Sequence, residues 1–186
     1  SVIGLIYIPA HSFSISQTNA HLTPKAIREA LHRFSTQSYS ADKNVAVQSI
    51  QDLGEIANPE QNEQQTIETI SAANKELTIA LGGDNSITYA AALGVYGNKL
   101  SSAGLITLDA HHDLRDGNSN GSPVRRLIEA GLNPKQVVQI GINDFSNSPD
   151  YEQLADSLGI TVITRTEVAN IGIASACKKA LAIAGA

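Results

Sequence analysis

The sequence predicts a doubly wound α/β fold, a parallel sheet with helices on both faces. Three observations lead there. Short apolar runs alternate with helix-like segments along the whole chain. The runs are continuously apolar, as expected of strands buried on both faces. The junctions after Leu81, Leu108 and Ile142 are the most polar in the chain, and in open α/β sheets ligands sit beyond the carboxyl ends of the strands.

Val2 to Ile8 is a β-branched, apolar strand, and Thr23-Pro24 opens an amphipathic helix with Thr23 as N-cap and Pro24 at the first helical position. Val45 to Leu53 is a weaker strand followed by Gly54. Pro59 to Asn74, rich in Glu and Gln with Ile67 and Ile70 on one face, is the next helix. Leu77 to Leu81 is a strand ending in Gly82-Gly83, and Ser86 to Tyr96 has helical composition. Leu105 to Leu108 is a buried strand, Arg115 to Ser122 a polar loop, and Pro123 to Ala130 a helix closed by Gly131. Gln136 to Ile142 and Ile160 to Ile163 are strands separated by a helix from Pro149 to Leu158. One Ala-rich helix from Glu167 to Ile183 completes the pattern.

A length of 186 residues suits a single α/β domain, 1–186. Thirteen basic against eighteen acidic residues give a net charge of −5, which offers no electrostatic footprint for nucleic acid or anionic lipid. No apolar run approaches the ~20 residues that a membrane span needs. The single cysteine, Cys177, cannot form an internal disulfide, and no basic-then-apolar leader precedes Ser1, so a cytoplasmic address is expected. Cys177 reads as a packing residue, and His21 and His32 as surface residues. His11, just past the first strand, reads as a hydrogen-bonded loop residue that could line a pocket.

The chemistry concentrates in Leu108-Asp109-Ala110-His111-His112-Asp113. An extended backbone sends alternate side chains the same way, so Asp109, His111 and Asp113 are expected to converge while His112 faces the packing side. Two carboxylates that close repel each other unless a cation holds both ionised. Hard oxygen donors with one imidazole and no thiolate suit manganese, magnesium or a catalytic zinc, with manganese first. The blander alternative is a solvated strand end with a turn-forming Asp. The second junction, Gly82-Gly83-Asp84-Asn85-Ser86, permits a sharp turn and a capped helix. Neither dinucleotide-binding nor P-loop spacing occurs anywhere, so nucleotide binding is the minority reading.

Taken together, these two junctions resemble the ureohydrolase superfamily of arginases, agmatinases and formimidoylglutamases. Gly82 to Ser86 is similar to its Gly-Gly-Asp-His-Ser motif, with Asn85 where the metal-binding His belongs. Asp109 to Asp113 matches Asp-Ala-His-x-Asp in full. The Thr23-Pro24-Lys25-Ala26-Ile27-Arg28 helix start and the Val138-to-Ile142 strand extend the likeness over the chain. Asn120 before Gly121, where arginases and agmatinases place a His, and Phe145-Ser146-Asn147 look most similar to formimidoylglutamase.

The resemblance implies an arginase-like fold and two Mn2+ ions that activate a water for attack on an amidine or guanidine carbon. Asp109, His111 and Asp113 would be metal ligands, with Asn85 at a further ligand position. Asp113 would also orient the attacking water, and Arg115, Asn120 and Gly121 would bind substrate. Formimidoylglutamate, cleaved to glutamate and formamide in histidine degradation, is the expected substrate. A guanidine hydrolase of agmatinase or arginase type, or a non-catalytic metal- or small-molecule-binding relative, is the alternative. The family's later Ser-x-Asp-x-Asp-x-x-Asp-Pro motif does not occur in these residues, so the chain reads as the N-terminal portion of a longer ureohydrolase domain, truncated on its C-terminal side. A homo-oligomer is expected from the family's habit.

Overall fold

The computed structural model describes residues 1–40, 43–44 and 49–185, with 43–44 described by their backbone. They form two compact units, Ser1–Gly97 and Asn98–Ala186, each with its own parallel sheet. The expected parallel α/β architecture is therefore present, with hydrogen bonding joining the strands as two sheets of three.

In the first unit, β1 (Ile3–Ile8) is followed by a 3-10 turn (Ala20–Leu22) and α1 (Thr23–Leu31). That turn carries the chain into the helix, so Leu22 is the N-cap and Thr23 is already helical, one residue from expectation. A two-residue antiparallel pair follows, β2 (Gln37–Ser38) with β3 (Lys43–Asn44), which nothing in the pattern announced. β4 (Ile50–Glu55), α2 (Glu63–Ala73), β5 (Leu77–Gly82) and α3 (Ile87–Tyr96) complete the unit. The expected strand start at Val45 falls on 45–48, outside the described residues.

The sheet order is β4-β1-β5, with the first strand central and chain added on either side of it, as in doubly wound topology. Ile3 pairs with Ile50 on one side and Leu77 on the other. Ile6, Ile8, Ile56 and Ile70 form the core, each at most 2% exposed. Arg28 of α1 lies over the Tyr7 ring at 4.6 Å and pairs with Asp52 of β4, tying helix to sheet.

In the second unit, β6 (Leu105–Leu108), α4 (Pro123–Glu129), β7 (Val137–Ile142), α5 (Pro149–Leu158) and β8 (Thr161–Thr164) match expectation within about a residue. The order is β6-β7-β8, all parallel, with Leu105 opposite Val137 and Ile140 opposite Ile163. The expected single C-terminal helix is instead two, α6 (Arg165–Ile171) and α7 (Ile173–Ala184). Gly172 breaks it, with φ 83° and ψ 152°, a conformation open essentially to glycine alone. α7 buries Ala176, Ala180 and Ala184, spaced by four along one face, against Val138, Ile140 and Ile163. Cys177 packs beside them, as expected. Among the described residues, no helix is long and apolar enough to cross a membrane.

Candidate functional site

The loop after β6 is held by β7 before it acquires any chemistry. Asp109 N donates to Ile140 O at 3.1 Å, and Asn143 N donates to Ala110 O at 3.1 Å. The chain then bends. His111 N donates to Asp109 Oδ1 at 2.8 Å, an Asx turn that folds the carboxylate over its own loop. The same oxygen lies 3.3 Å from His111 Nδ1, with the Asp109 side chain 33% and the His111 side chain 60% exposed. An accessible carboxylate and imidazole thus face each other at the carboxyl end of a strand.

Asp113 behaves differently. Its φ is +56°, it is buried, and its carbonyl accepts from Arg125 N at 3.2 Å. The two-residue alternation expected of Asp109, His111 and Asp113 stops with the strand at Leu108, because the bend and the left-handed residue turn the chain out of extended geometry. Consequently the three side chains do not assemble as one group. Among the described residues, no cluster of three or more His, Cys, Asp or Glu side chains is arranged to hold a metal. In donor chemistry, the Asp109–His111 pair fits one side of a divalent site, a hard oxygen with an imidazole nitrogen.

His112 does face the packing side, at 3% exposure. Its Nδ1 lies 2.7 Å from Gln139 Oε1, its carbonyl accepts from Gln139 Nε2 at 2.7 Å, and its N–H donates to Asn147 Oδ1 at 3.1 Å. Asn147 Nδ2 donates in turn to Ala110 O at 3.0 Å. Sequence reasoning missed Gln139. Its one signal is a primary amide in the otherwise apolar run Val137-Val138-Gln139-Ile140.

The following loop closes on itself. Arg115 N donates to Gly121 O at 3.0 Å, Gly121 N to Ser119 Oγ at 3.2 Å, and the Ser119 and Ser122 hydroxyls meet at 3.0 Å. Arg125 braces it by pairing with Asp116 at 2.8 Å. Asn120 is half-buried beside the buried Gly121. The exposed Arg115 guanidinium sits 5.8 Å from the centre of the Tyr151 ring. Arg115, Asn120 and Gly121 therefore belong to one ordered loop.

In the first unit, Gly83 makes the close turn after β5. A Cβ there would lie 2.5 to 2.7 Å from the backbone of Ile8 and Ala10. Asp84 accepts from Ser14 Oγ, from Ser86 Oγ and from Ser86 N at 3.0 Å, which closes the turn. The N-cap of α3 is Ser86, whose side chain makes no capping bond, so the expected side-chain cap of that helix is not made. Asn85 is half-buried, and its Oδ1 accepts from Thr88 Oγ1 at 2.8 Å, engaging the oxygen a metal would use.

His11 and His21 lie ring against ring at 4.1 Å. Glu60, also missed from sequence, accepts from His11 N and from Ser12 N at 2.7 Å. Burial pushes the Glu60 carboxyl's pKa up. The N–H groups of His11, Ser12 and Glu60 and the Ser12 hydroxyl outweigh that and hold it below the usual glutamate value.

Comparison with known proteins agrees with the resemblance carried by Asp109 to Asp113. A formimidoylglutamase of Halalkalibacterium halodurans is 35% identical over 96% of the chain, and one of Bacillus subtilis is 31% identical over 97%. The chain spans about 60% of the length of each of these relatives. The crystal structure of the Bacillus subtilis enzyme superposes with a TM-score of 0.88 at 29% identity, covering 98% of this chain and 60% of that one. A Trypanosoma cruzi formiminoglutamase crystallised with two Mn2+ ions shares the fold, with a TM-score of 0.89 at 20% identity, covering 100% of this chain and 67% of that one. The model of the arginase family matches residues 1–186, and the chain belongs to that family.

Proposed function

We propose that these residues form the N-terminal portion of a manganese-dependent amidine hydrolase that converts formimidoylglutamate and water to glutamate and formamide. The observation that carries this reading is the accessible Asp109–His111 pair, 3.3 Å apart on a braced loop, in a chain related along its length to formimidoylglutamases. The Trypanosoma cruzi relative with Mn2+ supports the choice of metal. Manganese, when bound, supplies a Lewis-acid centre at which water becomes a nucleophile near neutral pH.

The chain's own residues then have distinct tasks. Asp109 and His111 would donate to the metal. Asp113, which stands apart from them in this structure, would join as a further ligand and orient the attacking water once the loop draws together around the ion. Arg115 holds a substrate carboxylate with its planar fork, in a loop whose shape Asn120 and Gly121 set. Substrate and metal are the partners this reading requires. A homo-oligomer in the cytoplasm accompanies it, on the family's habit and the free thiol of Cys177.

Asp109→Asn and His111→Ala in the whole protein are expected to lower manganese-dependent hydrolysis by more than about a hundredfold, since the first exchanges a charged ligand for a neutral amide and the second removes one. Activity within a few-fold of the parent in either variant contradicts the reading. Engagement of Asn85 by Thr88 and the lack of a three-donor cluster among the described residues favour a second reading, a non-catalytic relative that binds one ion. It predicts manganese binding by calorimetry without turnover of any amidine or guanidine.

A further inference from the structure

Gln139 is the buried polar residue that this chemistry leaves unexplained. It sits in the middle of β7 between Val138 and Ile140, at 0% exposure. Burying a primary amide is unfavourable unless its hydrogen bonds are made, and a valine or leucine would pack there without that demand. Gln139 makes both of its described bonds to a single residue, His112, within the Asp109–Asp113 loop.

These two bonds determine the state of the ring. The His112 carbonyl can only accept, so the amide atom facing it is the NH2 group, and the oxygen necessarily faces His112 Nδ1. An amide oxygen cannot donate, so Nδ1 carries the proton. The other ring nitrogen, Nε2, is buried with no hydrogen-bond partner among the described residues. Gln139 thus fixes Nδ1 as a donor and pins ring and main chain together. Asn147 holds the His112 N–H and the Ala110 carbonyl, and Asn143 N also donates to that carbonyl. Held on these sides, the loop sends His112 inward and leaves Asp109 and His111 accessible.

We infer that Gln139 is a positioning residue: by gripping His112 through both ends of its amide, it fixes the loop so that Asp109 and His111 meet one divalent cation in a preset geometry. The inference rests on the metal-binding reading above. Outer groups of this kind set ligand orientation, and their loss typically costs 10- to 100-fold in metal affinity.

The test is manganese affinity of the whole protein by calorimetry, for the parent, Gln139→Met, His112→Phe and the double variant, with thermal unfolding of each metal-free protein alongside. Met keeps the length of Gln and removes both bonds. The expected result is a Kd at least about tenfold weaker for Gln139→Met at temperatures where it is fully folded. The double variant should be no weaker than the weaker single, because both act through one contact. A Gln139→Met protein that binds within twofold of a manganese-binding parent overturns the inference and leaves the proposed function standing. A parent that binds no manganese overturns the proposed function instead.

If the variant fails to fold, the parent's own ring decides. Nitrogen NMR of His112 should show a protonated Nδ1, and an Nδ1 without a proton overturns the grip.

Discussion

Glu60 shows how much one side chain can hold at a distance. It lies 49 residues from His11 in sequence, yet its carboxylate gathers the His11 and Ser12 N–H groups of the loop beyond β1. Because its pKa in the fold is lowered, the stabilisation it gives is present in full above the ordinary carboxylate value of 4.5 and is lost as pH falls through the folded value. The stability gap between the parent and Glu60→Gln is therefore expected to stay constant from neutral pH down to about 5, then shrink in acid. Denaturant titrations at several pH values measure it, and a gap that stays constant into acid contradicts the assignment.

Glu60 and Gln139 share a reason for being illegible in the sequence. Each acts through a partner that only the fold brings near, 49 and 27 residues away. Asp109 and His111 were legible because their relation is local, two residues apart at the end of an apolar strand. The backbone at Asp113 was not, because a bend and a left-handed residue end the strand's alternation before it.

At the scale of elements, periodicity located strands and helices well where tertiary contacts agreed with it, as in β6, α5 and β7. It failed at α6 and α7, where helical composition runs on through Gly172 and backbone conformation alone makes the break. The β2–β3 pair is two residues a side and carries no period to read.

Two glycines give a graded test of this backbone control. At Gly172 nothing would crowd an added Cβ, so Gly172→Ala is expected to cost only the strain of its dihedral angles, about 1 to 3 kcal/mol. At Gly83, φ of +40° combines with the crowding by Ile8 and Ala10, so Gly83→Ala should cost more than that and loosen the turn that carries Asp84. Equilibrium unfolding of the two variants ranks them, and an equal or reversed order contradicts the geometry.

For the molecule as a whole, the parallel α/β architecture and the family were both readable, because alternation and the Asp-Ala-His-x-Asp motif are properties of contiguous residues. The division into two compact units was not, since it depends on which strands hydrogen-bond. Two sheets, each with polar loops at its carboxyl edge, give the chain a clamped donor pair after β6 and an ordered loop bearing Arg115. On the proposed reading, that loop is where the carboxylates of a small anionic amidine would be held.

The most direct measurement is hydrolysis by the whole protein, loaded with manganese, of formimidoylglutamate beside agmatine and arginine at equal concentration. Expected are stoichiometric glutamate and formamide from the first, at least about a hundredfold preference over the other two, and loss of that preference in Arg115→Ala. An equal or higher rate on agmatine or arginine, or no turnover of formimidoylglutamate by a protein that binds manganese, would contradict the proposed function.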